Sequence, residues 1–101
     1  MAIDPERKAQ VELNANIILR IIGETPRATV KTIFERASQD TRFKISSINS
    51  MRKYIKSLRK QGYLECYGIY EHYYKLIIHT PFVYNKKRQK AFFSYVEKAR
   101  A

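Results

Sequence analysis

Residues 41–64 contain seven basic side chains, Arg42, Lys44, Arg52, Lys53, Lys56, Arg59 and Lys60, and no acidic one. Through the same stretch Ile48, Met51, Ile55 and Leu58 recur at helical spacing. At about 100° per residue they fall within one narrow sector of a helix. Only that sector can be buried, so the remaining surface must face water or a partner. The face opposite the apolar sector holds Ser46, Asn49, Ser50, Lys53, Lys56, Ser57 and Lys60, with Arg52, Arg59 and Tyr54 on its flanks. The rest of the chain therefore has to supply a scaffold that presents one basic helix at its surface.

The chain is large enough to do so. Its 101 residues suit one domain, and 45% of them are hydrophobic, ample for a core. Residues 1–40 balance six bases against six acids, whereas residues 41–101 carry fourteen bases against three acids, so the whole net charge of +11 lies in the second part. Such an asymmetry points to a polyanionic partner. Cys66 is the only cysteine, which excludes an intrachain disulfide and suits a reducing compartment. The longest apolar run, residues 17–22, is interrupted by Arg20 and falls far short of the ~20 residues that span a bilayer. The first residues lack the basic and then apolar order of a secretion signal. No membrane association is expected. The expected location is cytoplasmic, nucleoid-associated, or nuclear in a eukaryote.

Apolar periodicity organises the chain into five elements and a tail. Val11, Ala15, Ile18 and Ile22, widened by Leu13, Ile17 and Ile21, predict a first helix over residues 5–22, with Asp4 as cap, Pro5 at the first helical position and Gly23 as its stop. After a short connection, Thr29 is placed to cap a second helix carrying Val30, Ile33, Phe34 and Ala37 on one side. Residues 38–44 form a turn of several residues, Ile45 folds back towards the core, and Ser46 or Ser47 caps the basic third helix, which Gln61 and Gly62 end. Aromatic and β-branched residues on both sides of Gly68 predict a two-stranded hairpin. Asn85 is placed to cap a fourth helix of about fifteen residues. Phe92, Tyr95, Val96 and Ala99 would form its stripe, and Lys86, Lys87, Arg88 and Lys90 crowd its first half.

This order, with the run from Ile45 through Ser57-Leu58-Arg59-Lys60-Gln61-Gly62-Tyr63-Leu64-Glu65, resembles the winged helix-turn-helix family over roughly residues 8–78. The resemblance implies an α+β, mostly helical fold of three helices and a two-stranded wing, here followed by an extra C-terminal helix. The corresponding division is a winged-helix domain over residues 1–80 and a basic, amphipathic helix over residues 81–101. Two features differ from the family pattern. The turn before the third helix is longer than three or four residues, and the wing tip, residues 69–71, is aromatic and acidic rather than basic.

The resemblance implies a protein that binds double-stranded DNA, a small transcriptional regulator whose third helix enters the major groove. Its N-terminal half then faces base edges. Asn49 can bond adenine through both amide groups, and Ser46, Ser50 and Lys53 offer shorter or more adaptable contacts. Lys44, Ser47, Arg52, Lys56, Ser57 and Lys60 would meet phosphates, joined by Lys86, Lys87 and Arg88 from the fourth helix. Tyr70 near the wing tip is the candidate wing contact, while Tyr73 and Tyr67 are expected to pair across the strands and pack towards the helices. Phe92, Tyr95, Val96 and Ala99 either join a second copy, giving a homodimer, or pack back on the first helix. Two other functions fit the same residues. An architectural or replication accessory protein would bind duplex, single strand or RNA without reading sequence, and a protein-interaction module would turn the basic face towards an acidic protein partner.

Catalytic chemistry has little support in the residues. Gly23, Gly62 and Gly68 are isolated, so there is no phosphate-binding glycine loop. Cys66, His72 and His79 lack paired metal-ligand spacing. The expectation is a protein with no catalytic residues, metal, cofactor or small-molecule substrate.

Overall fold

A computed structural model describes residues 5–84. It contains helices α1 (Pro5–Glu24), α2 (Val30–Ala37) and α3 (Ile48–Lys60), then strands β1 (Leu64–Tyr67) and β2 (Tyr73–Leu76). The strands form an antiparallel hairpin with Leu64 opposite Leu76 and Tyr67 opposite Tyr73. The described residues form a helix-rich α+β arrangement of three helices and a two-stranded hairpin. The expected fourth helix, with Lys86, Lys87, Arg88, Lys90, Phe92, Tyr95, Val96 and Ala99, lies outside the described residues, as does the expected cap Asp4.

The apolar stripes meet in one core. Val11, Ala15, Ile18 and Ile22 of α1, Ile33 and Ala37 of α2, and Met51, Ile55 and Leu58 of α3 are all buried, with Leu64 from β1 closing one end. Ile18, Ile33 and Met51 retain no accessible surface. Ile45 does fold back and is buried with Phe43, so the α2–α3 turn is anchored at two points. Caps fix the helix starts. Thr29 accepts from the Thr32 backbone N–H at 3.2 Å, and Ser47, not Ser46, accepts from that of Ser50 at 3.2 Å.

Gly23 is not a helix stop, because α1 runs on to Glu24. A Cβ at position 23 would sit 3.3 Å from Leu76 Cδ2, so the glycine lets β2 approach the helix. The turn out of α1 instead uses Arg27, whose φ of 54° is left-handed although it is not a glycine. Ala28 then forms a single antiparallel bridge to Tyr74, whose N–H donates to the Ala28 carbonyl at 2.9 Å. β2 is therefore flanked by β1 on one side and by this one extended residue on the other. The packed unit continues past residue 80. Phe82 is buried against Tyr63, with ring centroids 5.5 Å apart.

Gly68 starts the hairpin turn with φ at 113°, and a Cβ there would fall 2.1 Å from the Glu71 carbonyl oxygen. Gly68→Ala is expected to destabilise the protein by about 1–3 kcal/mol, through left-handed strain and forced opening of the turn. Urea denaturation measures this, and an unchanged midpoint would contradict the turn geometry.

Candidate nucleic-acid interface

α3 is held from behind by α1. Among the described residues Asn14 is the one buried polar side chain, 3% exposed. Its Oδ1 accepts from the Lys44 backbone N–H at 3.1 Å and from Gln10 Nε2 at 2.8 Å, while its Nδ2 donates to the Tyr54 hydroxyl at 3.3 Å. Gln10 Nε2 also donates to the Arg42 carbonyl at 3.0 Å. One amide thus ties together α1, the approach to α3 and α3 itself, leaving no buried polar atom of that side chain unsatisfied. The sequence reading missed both Gln10 and Asn14. A polar residue beside an apolar stripe looks like surface until its partners, thirty and forty residues away, are in place.

With its apolar sector buried, α3 turns the rest outward. Lys44, Ser46, Ser47, Asn49, Arg52, Lys56, Arg59 and Lys60 are exposed, and Ser50, Lys53 and Ser57 are half-buried. All the expected α3 base and phosphate contacts are therefore at least partly accessible, as is Arg59, which the sequence reading left on the flank. Two serines are already engaged. Ser50 Oγ accepts from the Ser47 hydroxyl at 2.9 Å, and Ser57 Oγ accepts from Gln61 Nε2 at 3.0 Å. Each keeps its own O–H for donation to a ligand. Burial pushes the Tyr74 phenol above its ordinary range while the nearby charges of Arg59 and Arg52 pull it back.

Arg42 is the base that does not belong to this surface. Its guanidinium holds Asp40 two-pronged, with Nε 3.0 Å from Oδ1 and Nη2 2.8 Å from Oδ2, and its backbone N–H donates to Oδ1 at 2.9 Å. Asp40 stands just before the acid-free stretch, and Arg20 approaches it at 3.6 Å as well. These hydrogen bonds hold the Asp40 carboxyl well below the usual carboxylate range. A depressed carboxylate contributes stability above its unfolded value near 4 and loses it as pH falls through the folded value. Asp40→Asn is expected to lower the melting temperature at pH 7, with the gap to the natural chain closing below about pH 4. A gap of constant size across that range would contradict the assignment.

The hairpin sorts its tyrosines differently from expectation. Leu64, Cys66, Tyr74 and Leu76 alternate onto the side that packs on the helices, so Tyr74, not Tyr73 or Tyr67, is the inward ring. Tyr67 and Tyr73 do pair across the strands, at 5.6 Å between centroids, but on the outer face. Lys75 Nζ lies 5.8 Å from the Tyr67 ring and 3.6 Å from Glu65 Oε2 there. At the tip Tyr70 is wholly exposed and Ile69 nearly so. Cys66 Sγ and His72 Nδ1 lie 3.4 Å apart, and among the described residues no three His, Cys, Asp or Glu side chains come together. Also among the described residues, no helix is long and apolar enough to cross a membrane.

The geometry has to carry the functional argument by itself. No protein-family model matches the chain, and searches of curated proteins and of solved structures find no match either.

Proposed function

We propose that this chain is a winged helix-turn-helix protein that binds double-stranded DNA through α3, as a small transcriptional regulator without catalytic activity. One observation carries the reading. The solvent face of α3 presents Arg52, Lys53, Lys56, Arg59 and Lys60 without one acidic residue, on a helix whose other side is locked into the core. An ordinary surface helix mixes both signs, whereas a duplex offers a continuous row of phosphates to a cationic face. The shape supports the same reading. A helix anchored along one side and solvent-accessible along the other can enter a major groove about 12 Å wide. Asn49 and Ser46 then lie at its leading end with Ser50 and Lys53 behind them, facing base edges. Lys44 and Ser47 approach phosphate at the N-terminus, where backbone N–H groups point outward. Arg52, Lys56, Ser57, Arg59 and Lys60 meet the flanking backbone. Tyr70, fully exposed, is the wing's contribution.

Selection from a randomised duplex pool tests the proposal. An enriched motif establishes sequence reading, and retention without enrichment replaces it with architectural binding. Lack of retention at low salt would sink the proposal and point to a protein partner for the basic face.

A further inference from the structure

The hairpin brings two soft metal-ligating side chains together at its open end. Cys66 stands opposite Tyr74, and residues alternate between faces along a strand, so His72 emerges on the same face as Tyr74 and diagonal to Cys66. Gly68 lets the turn of residues 68–72 close tightly on the Glu71 carbonyl. Cys66 Sγ and His72 Nδ1 end 3.4 Å apart. Cys66 is half-buried and His72 exposed, so the pair is open to solvent. Sequence spacing hides it, because only the turn joins positions 66 and 72.

The separation matches one kind of metal geometry. Tetrahedral zinc bonds sulfur at about 2.3 Å and imidazole nitrogen at about 2.0–2.1 Å, which at a ligand angle of about 109° sets S and N roughly 3.5 Å apart. The same bonds in a linear two-ligand site would need about 4.3 Å. The 3.4 Å in the hairpin therefore fits two corners of a tetrahedron without backbone movement. One shared proton holds the pair in the metal-free protein, and a divalent ion would replace it, displacing the thiol hydrogen to solvent and taking the Nδ1 lone pair.

Two ligands are half of what a structural zinc site takes. The chain has one cysteine and two histidines, and among the described residues no third His, Cys, Asp or Glu side chain joins this pair. The adjacent acids are engaged elsewhere: Glu65 Oε2 lies 3.6 Å from Lys75 Nζ, and Glu71 Oε2 accepts from the Tyr73 hydroxyl at 3.1 Å. A second copy supplies the missing corners by symmetry, since a two-fold axis through the ion adds the same cysteine and the same histidine. Two thiolates then cancel the charge of the ion, so the closed site adds no positive charge between chains that each carry +11. Ile69 beside the pair is 92% exposed, and a second hairpin gives it cover.

We infer that Cys66 and His72 are half of a zinc-type site, completed by the same two residues of a second copy, so that a divalent ion joins two chains hairpin to hairpin. The inference departs from the expectation of a protein without metal, and it holds whether or not α3 binds DNA. Burial, followed by the adjacent Cys66 thiol, keeps the Tyr74 phenol protonated. Its O–H is the natural donor to a metal-bound thiolate.

The test titrates the full, reduced chain with Zn²⁺ alone, and with Co²⁺ as its spectroscopic substitute, without nucleic acid. A phosphine reductant present throughout excludes disulfide dimers. Light scattering after size exclusion is expected to show the 12.0 kDa mass doubling at one ion per two chains. Cobalt is expected to give thiolate-to-metal absorption and the strong visible bands of a tetrahedral site. Cys66→Ser and His72→Ala are each expected to weaken ion binding by at least about a hundredfold, beyond the loss of an outer-shell partner, and to keep the mass single. Melting of the metal-free variants is expected to match that of the natural chain. One ion per chain without a change of mass overturns the shared site. Metal-dependent doubling that survives either replacement, or cobalt bound without thiolate absorption, overturns it by placing the ion elsewhere. A natural chain that binds neither ion overturns it outright.

Discussion

Replacing Lys56 and Lys60 together by alanine is expected to weaken duplex binding on the order of a hundredfold while leaving stability within about 0.5 kcal/mol. Both side chains are exposed on the outer face of α3, one helical turn apart, where they would follow a phosphate backbone. A hydrogen bond to a charged group contributes about 1.5–3 kcal/mol, so losing two removes roughly 3 kcal/mol or more of binding free energy. The loss should be the same for every duplex sequence, because phosphates are common to all. Fluorescence anisotropy with two unrelated duplexes, alongside thermal unfolding, measures both quantities. Unchanged affinity would mean that the basic face is only solvated surface, and a loss on one sequence alone would make these residues base readers.

The second large effect is on the fold. Met51→Ala is expected to destabilise the protein by about 2–5 kcal/mol, the usual range for emptying a buried site. Met51 has no accessible surface and sits in the middle of the stripe that locks α3 to the core. Single domains have about 5–15 kcal/mol in total, so the variant would lie near the limit of folding. At a temperature where it is still folded, its duplex affinity should stay close to that of the natural chain. Denaturant unfolding gives the first number. A change below about 0.5 kcal/mol, as for a surface site, would contradict the burial of this face of α3.

Much of the fold is legible in the sequence because the three described helices obey a single rule. Each has apolar residues at helical spacing, and those residues are buried, from Val11 and Ala15 through Ile33 and Ala37 to Met51, Ile55 and Leu58, or partly buried, as Leu13, Val30, Phe34 and Ile48 are. What escapes is whatever depends on a distant neighbour. Gly23 reads as a stop, since glycine commonly ends helices, but its role is to admit Leu76, more than fifty residues later. The left-handed residue of that connection is Arg27, for which composition gives no sign. Asn14 and Asn16 look alike in sequence. Yet one anchors the approach to α3 and the other clamps Phe82 on the opposite side of the same helix.

The candidate surface divides in the same way. The basic character of α3 follows from its composition and period alone, and every proposed α3 contact is at least partly accessible. The removal of Arg42 from that surface depends on Asp40, which lies one residue outside the acid-free stretch. Strand alternation could have sorted the tyrosines, because inward Leu64 and Leu76 fix the parity of Tyr74. The family expectation that wing residues pack on the helices assigned them to the wrong rings instead. The docking of Phe82 and Tyr84 on α1 rests on backbone partners for Asn16 and Glu12 that no local pattern reveals.

Duplex affinity as a function of salt tests the central claim most directly. If about five bases of the α3 surface meet phosphates, log affinity should fall against log salt with a slope near −4.5 per molecule bound. With the Lys56 and Lys60 double replacement the slope should shrink by about 1.8. A slope near zero at measurable affinity, or no duplex binding at low salt, would contradict the account of α3 as a surface for nucleic-acid phosphates.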